Sequence, residues 1–156
     1  TAAAYGPDNQ PAISVDSITL LQAAFSHNGL AVNYDGKGHN GYFRRVLAEG
    51  RVKGPVMITH TVNDKAVGMA YPLASRIGGQ QASGLGDAAD PFGGMGRNGA
   101  QHTPEKINIT LLAPSTAYSL QKGKVYNLLA DEFIKGHSDI TNPATAHAFL
   151  SAVGKT

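Results

Sequence analysis

The stretch GPVMITHTVNDKAVGMAYPLASRI, from Gly54 to Ile77, decides the fold of the chain. A Gly-Pro turn leads into a short apolar segment, and a polar stretch with an acid in its midst, Thr59 to Lys65, follows it. Apolar residues then recur with the period of an α-helix, at Val67, Ala70, Leu73, Ala74 and Ile77. A strand, a polar turn with a carboxylate and a helix, in that order, predict a β-α unit of a parallel sheet. Chemistry in open parallel sheets lies just beyond the carboxyl ends of the strands, which is where Asp64 falls.

Three further segments have the patterns of strands. The nearly continuous apolar run from Ser17 to Phe25 predicts a strand that is covered on both faces, as in parallel sheets. Polar and apolar residues alternate from Lys106 to Ala113, which favours a half-exposed strand, and Lys124 to Ala130 is another strand candidate. A short helix is expected from Tyr42 to Glu49. The whole predicts one domain over residues 1–156, with a three-layer α/β architecture and a mostly parallel sheet flanked by helices.

The last helix and the longest loop are also marked in the sequence. Thr141 or Asn142 is expected to cap the helix, Pro143 to lie in its first turn, and Gly154 to end it. Residues 78–104 hold eight glycines and two prolines and are too long for an ordinary connection. They are predicted to form a surface excursion, either a lid or a flexible insertion.

Composition excludes several classes of function. The formal charge is +2 and no Lys/Arg cluster is present, so a nucleic-acid partner is not expected. No apolar run approaches the ~20 residues that a membrane helix needs. The chain has no cysteine, and its six histidines show neither H-x-x-x-H nor H-x-H spacing, so a metal site is not expected. The glycine-rich loops contain neither G-x-G-x-x-G after a strand nor a Walker motif, so no cofactor is expected.

Asp64 and His137 are the candidate catalytic residues. Asp64 follows one predicted strand, and His137 lies in a Gly-His-Ser-Asp turn between the last strand and the last helix. An acid that faces an imidazole fixes its tautomer and stabilises the imidazolium, so that the other ring nitrogen can take a proton from a nucleophile.

The segments around these two residues resemble the α/β-hydrolase family, whose triad follows the chain order Ser, Asp, His. PVMITHTVNDKAVGMAYPLASRI is similar to the family's strand and acid turn, and EFIKGHSDITNPATAHAFLSAV to its histidine turn and final helix. SITLLQAAFSHNGLA resembles the strand that precedes the acid strand. The resemblance covers the C-terminal half of a hydrolase domain and implies that Asp64 orients His137.

The family's nucleophile elbow, G-x-S-x-G, does not occur in the 156 residues. The nearest candidate is Ser26, which lacks both flanking glycines. The resemblance therefore implies half of an esterase-like serine hydrolase, which acts on an ester, thioester or amide and receives its serine from sequence outside this chain. The alternative hypothesis is a non-catalytic assembly module that reuses a hydrolase-like sheet. Under either hypothesis the open sheet edge needs the N-terminal half or a second copy of the chain to cover it.

Simpler roles remain open for each of these residues. Asp64 could be only a helix cap, and His137 only a locally hydrogen-bonded turn residue. His60 is expected to be a buried, hydrogen-bonded histidine, and Asn63 to lie on the surface of the turn. His27 and His39 are expected either to line a pocket or to be exposed, and His147 to be structural.

Overall fold

The computed structural model describes residues 13–70 and 88–155, and a four-stranded parallel sheet runs through this part of the chain. The strands are β1 (Ile18–Leu20), β2 (Val56–His60), β3 (Lys106–Thr110) and β4 (Val125–Leu129), and their order across the sheet is β1-β2-β4-β3. Every adjacent pair is parallel. The α/β class and the mostly parallel sheet are therefore confirmed.

The two central strands are buried on both faces, as is typical of a parallel sheet that is covered by helices. Alternate residues of β2 point to opposite sides, because side chains of a strand alternate between its faces. Met57 packs with Tyr126 and Leu128 in one core cluster, whereas Val56 and Ile58 pack in the other. The edge strand β3 is partly exposed, as its alternating sequence predicts.

The described residues form four helical elements: α1 (Arg44–Ala48), the π-helical turn α2 (Ala66–Ala70) and α3 (Met95–Asn98) between strands, and α4 (Pro143–Val153) after the last strand. The first and last agree with the predicted helices. The helix predicted after Asp64 is a π-helical turn in its described part, and Leu73, Ala74 and Ile77 lie outside the described residues. None of the described helices is long and apolar enough to span a membrane.

Helix α4 has the predicted caps and packs against the sheet through small residues. The Asn142 side chain accepts a hydrogen bond from the Thr145 amide at 3.0 Å, and Gly154 ends the helix. The residues that pack against the sheet are small, Ala144, Ala148 and Ala152, whereas the larger Phe149 and Leu150 are exposed. Small residues allow the helix backbone to approach the sheet closely.

Strand β1 is shorter than the apolar run from Ser17 to Phe25, and its three residues are only half-buried, so the prediction of a strand covered on both faces was wrong. It ends at Leu20, and the chain turns at Gln22, which has a positive φ of 45°. The turn is stabilised by a hydrogen bond of 3.1 Å from the Gln22 amide to Thr59 Oγ1 on β2. Phe25 therefore lies beyond the carboxyl end of β1 and not within the strand.

The second half of the glycine-rich segment is part of the core, which corrects the expectation of a surface excursion over residues 78–104. Met95 and Ala100 are completely buried, and α3 packs against β2. A Cβ on Gly96 would lie 2.6 Å from the backbone carbon of Gln22, so only glycine fits at this contact. These glycines allow close packing, whereas the sequence analysis interpreted them as signs of a flexible segment. Residues 78–87 lie outside the described residues.

Candidate active site

Asp64 and His137 meet at the carboxyl edge of the sheet. Asp64 follows β2, His137 follows β4, and the two strands are parallel neighbours, so the segments that follow them emerge on the same side. Asp64 Oδ2 lies 2.9 Å from His137 Nδ1, although the two residues are far apart in sequence. The structure thus brings together the two residues that the sequence singled out.

The Asp64 carboxylate is held from both sides. The residue is 0% exposed, and its Oδ1 accepts a hydrogen bond of 2.9 Å from the Val67 amide at the start of α2. The sequence left a helix cap and an orienting acid as alternative roles for Asp64. Each of its two oxygens makes the contact that one of these roles requires. A carboxylate whose first oxygen is fixed by a backbone amide presents the second in one orientation.

The arrangement fixes the tautomer of His137. An ionised carboxylate only accepts hydrogen bonds, so Nδ1 of the ring must carry the proton that it donates to Asp64. The basic lone pair is then on Nε2, for which no hydrogen-bond partner is found in the described part of the chain. The imidazole side chain is 43% exposed, whereas the Asp64 side chain is 0% exposed. The geometry suits a general base that is oriented from behind by a buried acid.

Asp131 ties the acid turn to the histidine turn. Its Oδ1 accepts hydrogen bonds from Thr61 Oγ1 at 2.7 Å and from the Val62 amide at 3.0 Å. Asn63 adds a second link, because its Nδ2 donates to the carbonyl oxygens of Asp131 and Ile134 at 3.1 and 2.9 Å. The expectation that Asn63 is only turn surface was wrong. The local sequence does not indicate the hydrogen-bond partners of Asn63, because they come from the segment after β4.

The turn that carries His137 is also fixed internally. The Asp139 carboxylate accepts a hydrogen bond of 2.9 Å from the Lys135 amide, and the Asp139 amide donates to the Gly136 carbonyl at 3.1 Å. The side chain of His137 therefore projects from a closed turn toward Asp64.

The other histidines have different surroundings. His60 ends β2, and burial lowers the pKa of its imidazole, an effect that a backbone hydrogen bond and the charge of Asp131 oppose. His147 contacts the Thr116 carbonyl through Nε2 at 2.8 Å, in accord with a structural role. His39 pairs with Asp35 at 2.6 Å on the exposed loop, and the hydrogen bond from His39 is the main cause that lowers the pKa of Asp35 to about 2. His27 is almost completely buried.

Ser26 does not have the surroundings of a nucleophile for this pair. Its Oγ accepts a hydrogen bond from the Asn28 amide at 3.1 Å, and its side chain lines a cleft that includes neither Asp64 nor His137. No serine among the described residues is hydrogen-bonded to His137.

Within residues 13–70 and 88–155, no group of three or more histidine, aspartate or glutamate side chains could hold a metal ion. Comparison of the chain with protein-family models, with curated proteins and with solved structures finds no match.

Proposed function

We propose that Asp64 and His137 are the acid and the base of an α/β-hydrolase-type serine hydrolase that acts on an ester, thioester or amide. The observation that best supports the proposal is the 2.9 Å contact of a fully buried carboxylate with Nδ1 of a partly exposed imidazole at the carboxyl edge of a parallel sheet. The chain order of the two turns, acid before base, agrees with the order of the family's triad.

His137 would act as general base and then as general acid. Its Nε2 takes the proton of the serine hydroxyl as the oxygen attacks the carbonyl carbon, and later gives that proton to the leaving group. Asp64 holds the ring in the tautomer that leaves Nε2 basic and stabilises the imidazolium that forms. The acid and the base are thus both present on this chain.

The serine belongs, in this proposal, to a partner segment outside the chain, because the sequence lacks a nucleophile elbow. Strand β1 has no neighbour on its outer edge among the described strands, and an edge strand is a template for pairing with another strand. The N-terminal half of a hydrolase domain, or a second copy of this chain, would extend the sheet there.

The test is fluorophosphonate labelling of the polypeptide or complex that contains this chain, isolated through an affinity tag. We expect a labelled serine and hydrolysis of p-nitrophenyl acetate, and we expect His137→Gln or Asp64→Asn to reduce turnover by about four orders of magnitude. His147→Gln is the matched control and should leave turnover unchanged, since the contacts of His147 with the Thr116 carbonyl and the Tyr118 ring involve neither Asp64 nor His137. Folded material that neither labels nor turns over would contradict the hydrolase and favour the assembly module.

A further inference from the structure

A cleft of about 840 Å³ lies beyond the carboxyl end of β1. Its volume is within the range of small-molecule sites, which are commonly about 300–1,000 Å³ and lined by apolar and aromatic side chains. Two parts of the chain form its walls: the turn and loop between β1 and α1, and the segment around Phe92. Neither Asp64 nor His137 lines it, so this cleft is distinct from the candidate active site.

Five aromatic side chains line the cleft: Phe25, Tyr34, Tyr42, Phe43 and Phe92. Phe25 and Phe43 are in edge-to-face contact, with ring centroids 5.1 Å apart, and both also pack against the core. Tyr42 makes a similar contact with Phe43 at 5.0 Å, yet it is 85% exposed. The inner rings are therefore anchored, whereas Tyr42 presents a large apolar surface to solvent. A flat ligand would cover that surface.

The walls of the cleft are formed by close backbone packing. A Cβ on Gly41 would lie 2.0 Å from the Asn28 carbonyl oxygen, and one on Gly29 would lie 2.9 Å from the ring of Phe25. The Ser26 backbone pairs with Gly94, and the His27 amide donates to the Gly93 carbonyl at 2.8 Å. These contacts hold the segment before Met95 against the turn after β1. The cleft is thus preformed, which lowers the entropy lost when a ligand binds.

The loop over the cleft is also ordered by its own hydrogen bonds. The Asn33 amide donates to Asn40 Oδ1 at 3.0 Å, and the Tyr34 amide donates to the His39 carbonyl at 3.0 Å. The Asp35 carboxylate accepts the Lys37 amide at 3.0 Å and contacts the His39 ring. Its oxygens are therefore used within the loop.

Lys37 is the cation of the cleft lining. Its ammonium group has no ion pair and no side-chain hydrogen bond to any described residue, whereas Asp35 is engaged by the loop. We propose that the cleft binds a small ligand that combines a flat aromatic ring with an anionic group. The ring lies against Tyr42 and Phe43, and the anion faces Lys37. This assignment does not depend on the hydrolase chemistry of the other site.

Two fluorescent probes with the same rings test the aromatic part and the anionic part of the proposal separately. Anilinonaphthalene sulfonate carries an anionic group, and phenylnaphthylamine does not. We expect the purified 156-residue chain to bind the sulfonate saturably at one site. Tyr42→Ala should weaken the binding of both probes by about three- to tenfold, the usual contribution of an aromatic pair. Lys37→Ala should weaken only the sulfonate, by about two- to fivefold, and added salt should reduce the difference.

The controls are an exposed aromatic residue and an exposed lysine elsewhere. Phe149 lies in a separate apolar groove near Leu21, and Lys53 lies outside the cleft. Phe149→Ala and Lys53→Ala should leave the affinity of both probes unchanged, and thermal melting should show that every variant is folded. Non-saturable binding, unchanged affinity in Tyr42→Ala, or an equal loss in Phe149→Ala would overturn the proposal. An equal effect of Lys37→Ala on both probes would overturn its anionic part.

Discussion

Asp64 Oδ2 contacts His137 Nδ1 at 2.9 Å, while Oδ1 of the same carboxylate accepts the Val67 amide at 2.9 Å. One fully buried side chain thus caps the start of α2 and orients an imidazole from another loop. Because the cap fixes the rotation of the carboxylate, the local structure of the β2-α2 turn determines the geometry of the candidate catalytic pair. Loss of the cap and loss of the charge should consequently have separable effects.

Asp64→Ala should destabilise the fold more than Asp64→Asn does. Alanine removes the cap, which costs about 0.5–2 kcal/mol, and leaves the buried Val67 amide without a partner, whereas asparagine can keep Oδ1 in place. Urea unfolding would measure the two free energies of unfolding. Asp16→Asn, at an exposed aspartate, is the control and should change the free energy by less than about 0.5 kcal/mol.

The same two variants should differ in the tautomer of His137. The asparagine amide would present a donor to Nδ1, so the ring should shift to the form protonated at Nε2, which is the wrong one for a general base. Nitrogen chemical shifts of the labelled ring report the tautomer directly. An unchanged tautomer in Asp64→Asn would contradict the role of Asp64 as the orienting acid.

Asp131→Ala should loosen the junction between the two turns. Its carboxylate accepts from Thr61 Oγ1 and the Val62 amide, and asparagine can still accept both hydrogen bonds through Oδ1. We expect a loss of about 1–2 kcal/mol in Asp131→Ala and a smaller loss in Asp131→Asn. Hydrogen exchange of the Val62 amide should accelerate in the alanine variant alone. Equal exchange in both variants would show that this side chain does not hold the turn.

The Arg44–Glu105 ion pair should make stability depend on pH. The guanidinium donates to both carboxylate oxygens, and this hydrogen bonding holds the pKa of Glu105 below its usual value of 4.5. Because the unfolded chain then binds the proton more readily, the stabilisation is present above about pH 4.5 and is lost as pH falls through the lowered pKa of the folded state.

A double-mutant cycle of Arg44→Met and Glu105→Gln measures that contribution. The pair is partly exposed, so we expect an interaction energy of about 1 kcal/mol at about pH 7, which decreases as the solution is made acidic. When Glu132→Gln, at an exposed glutamate, replaces Glu105→Gln in the cycle, the interaction energy should show no such decrease. A constant interaction energy over the acid range would contradict the assignment.

The sequence predicted the parts of the fold that depend on local patterns. The apolar segment Val56-Met57-Ile58 predicted a strand, and the meeting of Asp64 with His137 followed from the rule that parallel strands end on one side of a sheet. Contacts between distant segments were not visible. Asn63 resembles an ordinary turn residue until the segment after β4 is in place.

The glycine-rich segment is the clearest failure of local reasoning. When the spatial neighbours of a glycine are unknown, the residue is interpreted as a sign of flexibility. Gly96, however, contacts the backbone at Gln22, a residue that is remote in sequence. The sequence around Gly96 contains no pattern that indicates this contact. The same residue type therefore indicates a mobile loop or a tightly packed one, depending on what lies against it.

Gly96→Ala tests this explanation, with Gly136→Ala as the control at a glycine where an added Cβ would meet no neighbour. At Gly96 a Cβ would lie 2.6 Å from the Gln22 carbon and 2.8 Å from its Cα, and backbone atoms cannot move aside as a flexible side chain does. At Gly136 nothing lies within 4 Å of the added carbon. We expect Gly96→Ala to lower the free energy of unfolding by about 1–3 kcal/mol or more, and Gly136→Ala to change it by less than about 0.5 kcal/mol. Amide exchange at Thr61, which donates to the Gly96 carbonyl at 3.0 Å, should accelerate only in the first variant. If both variants had wild-type stability, the close packing of α3 against the turn after β1 would be wrong, and residues 94–99 would be a loop that accepts side chains.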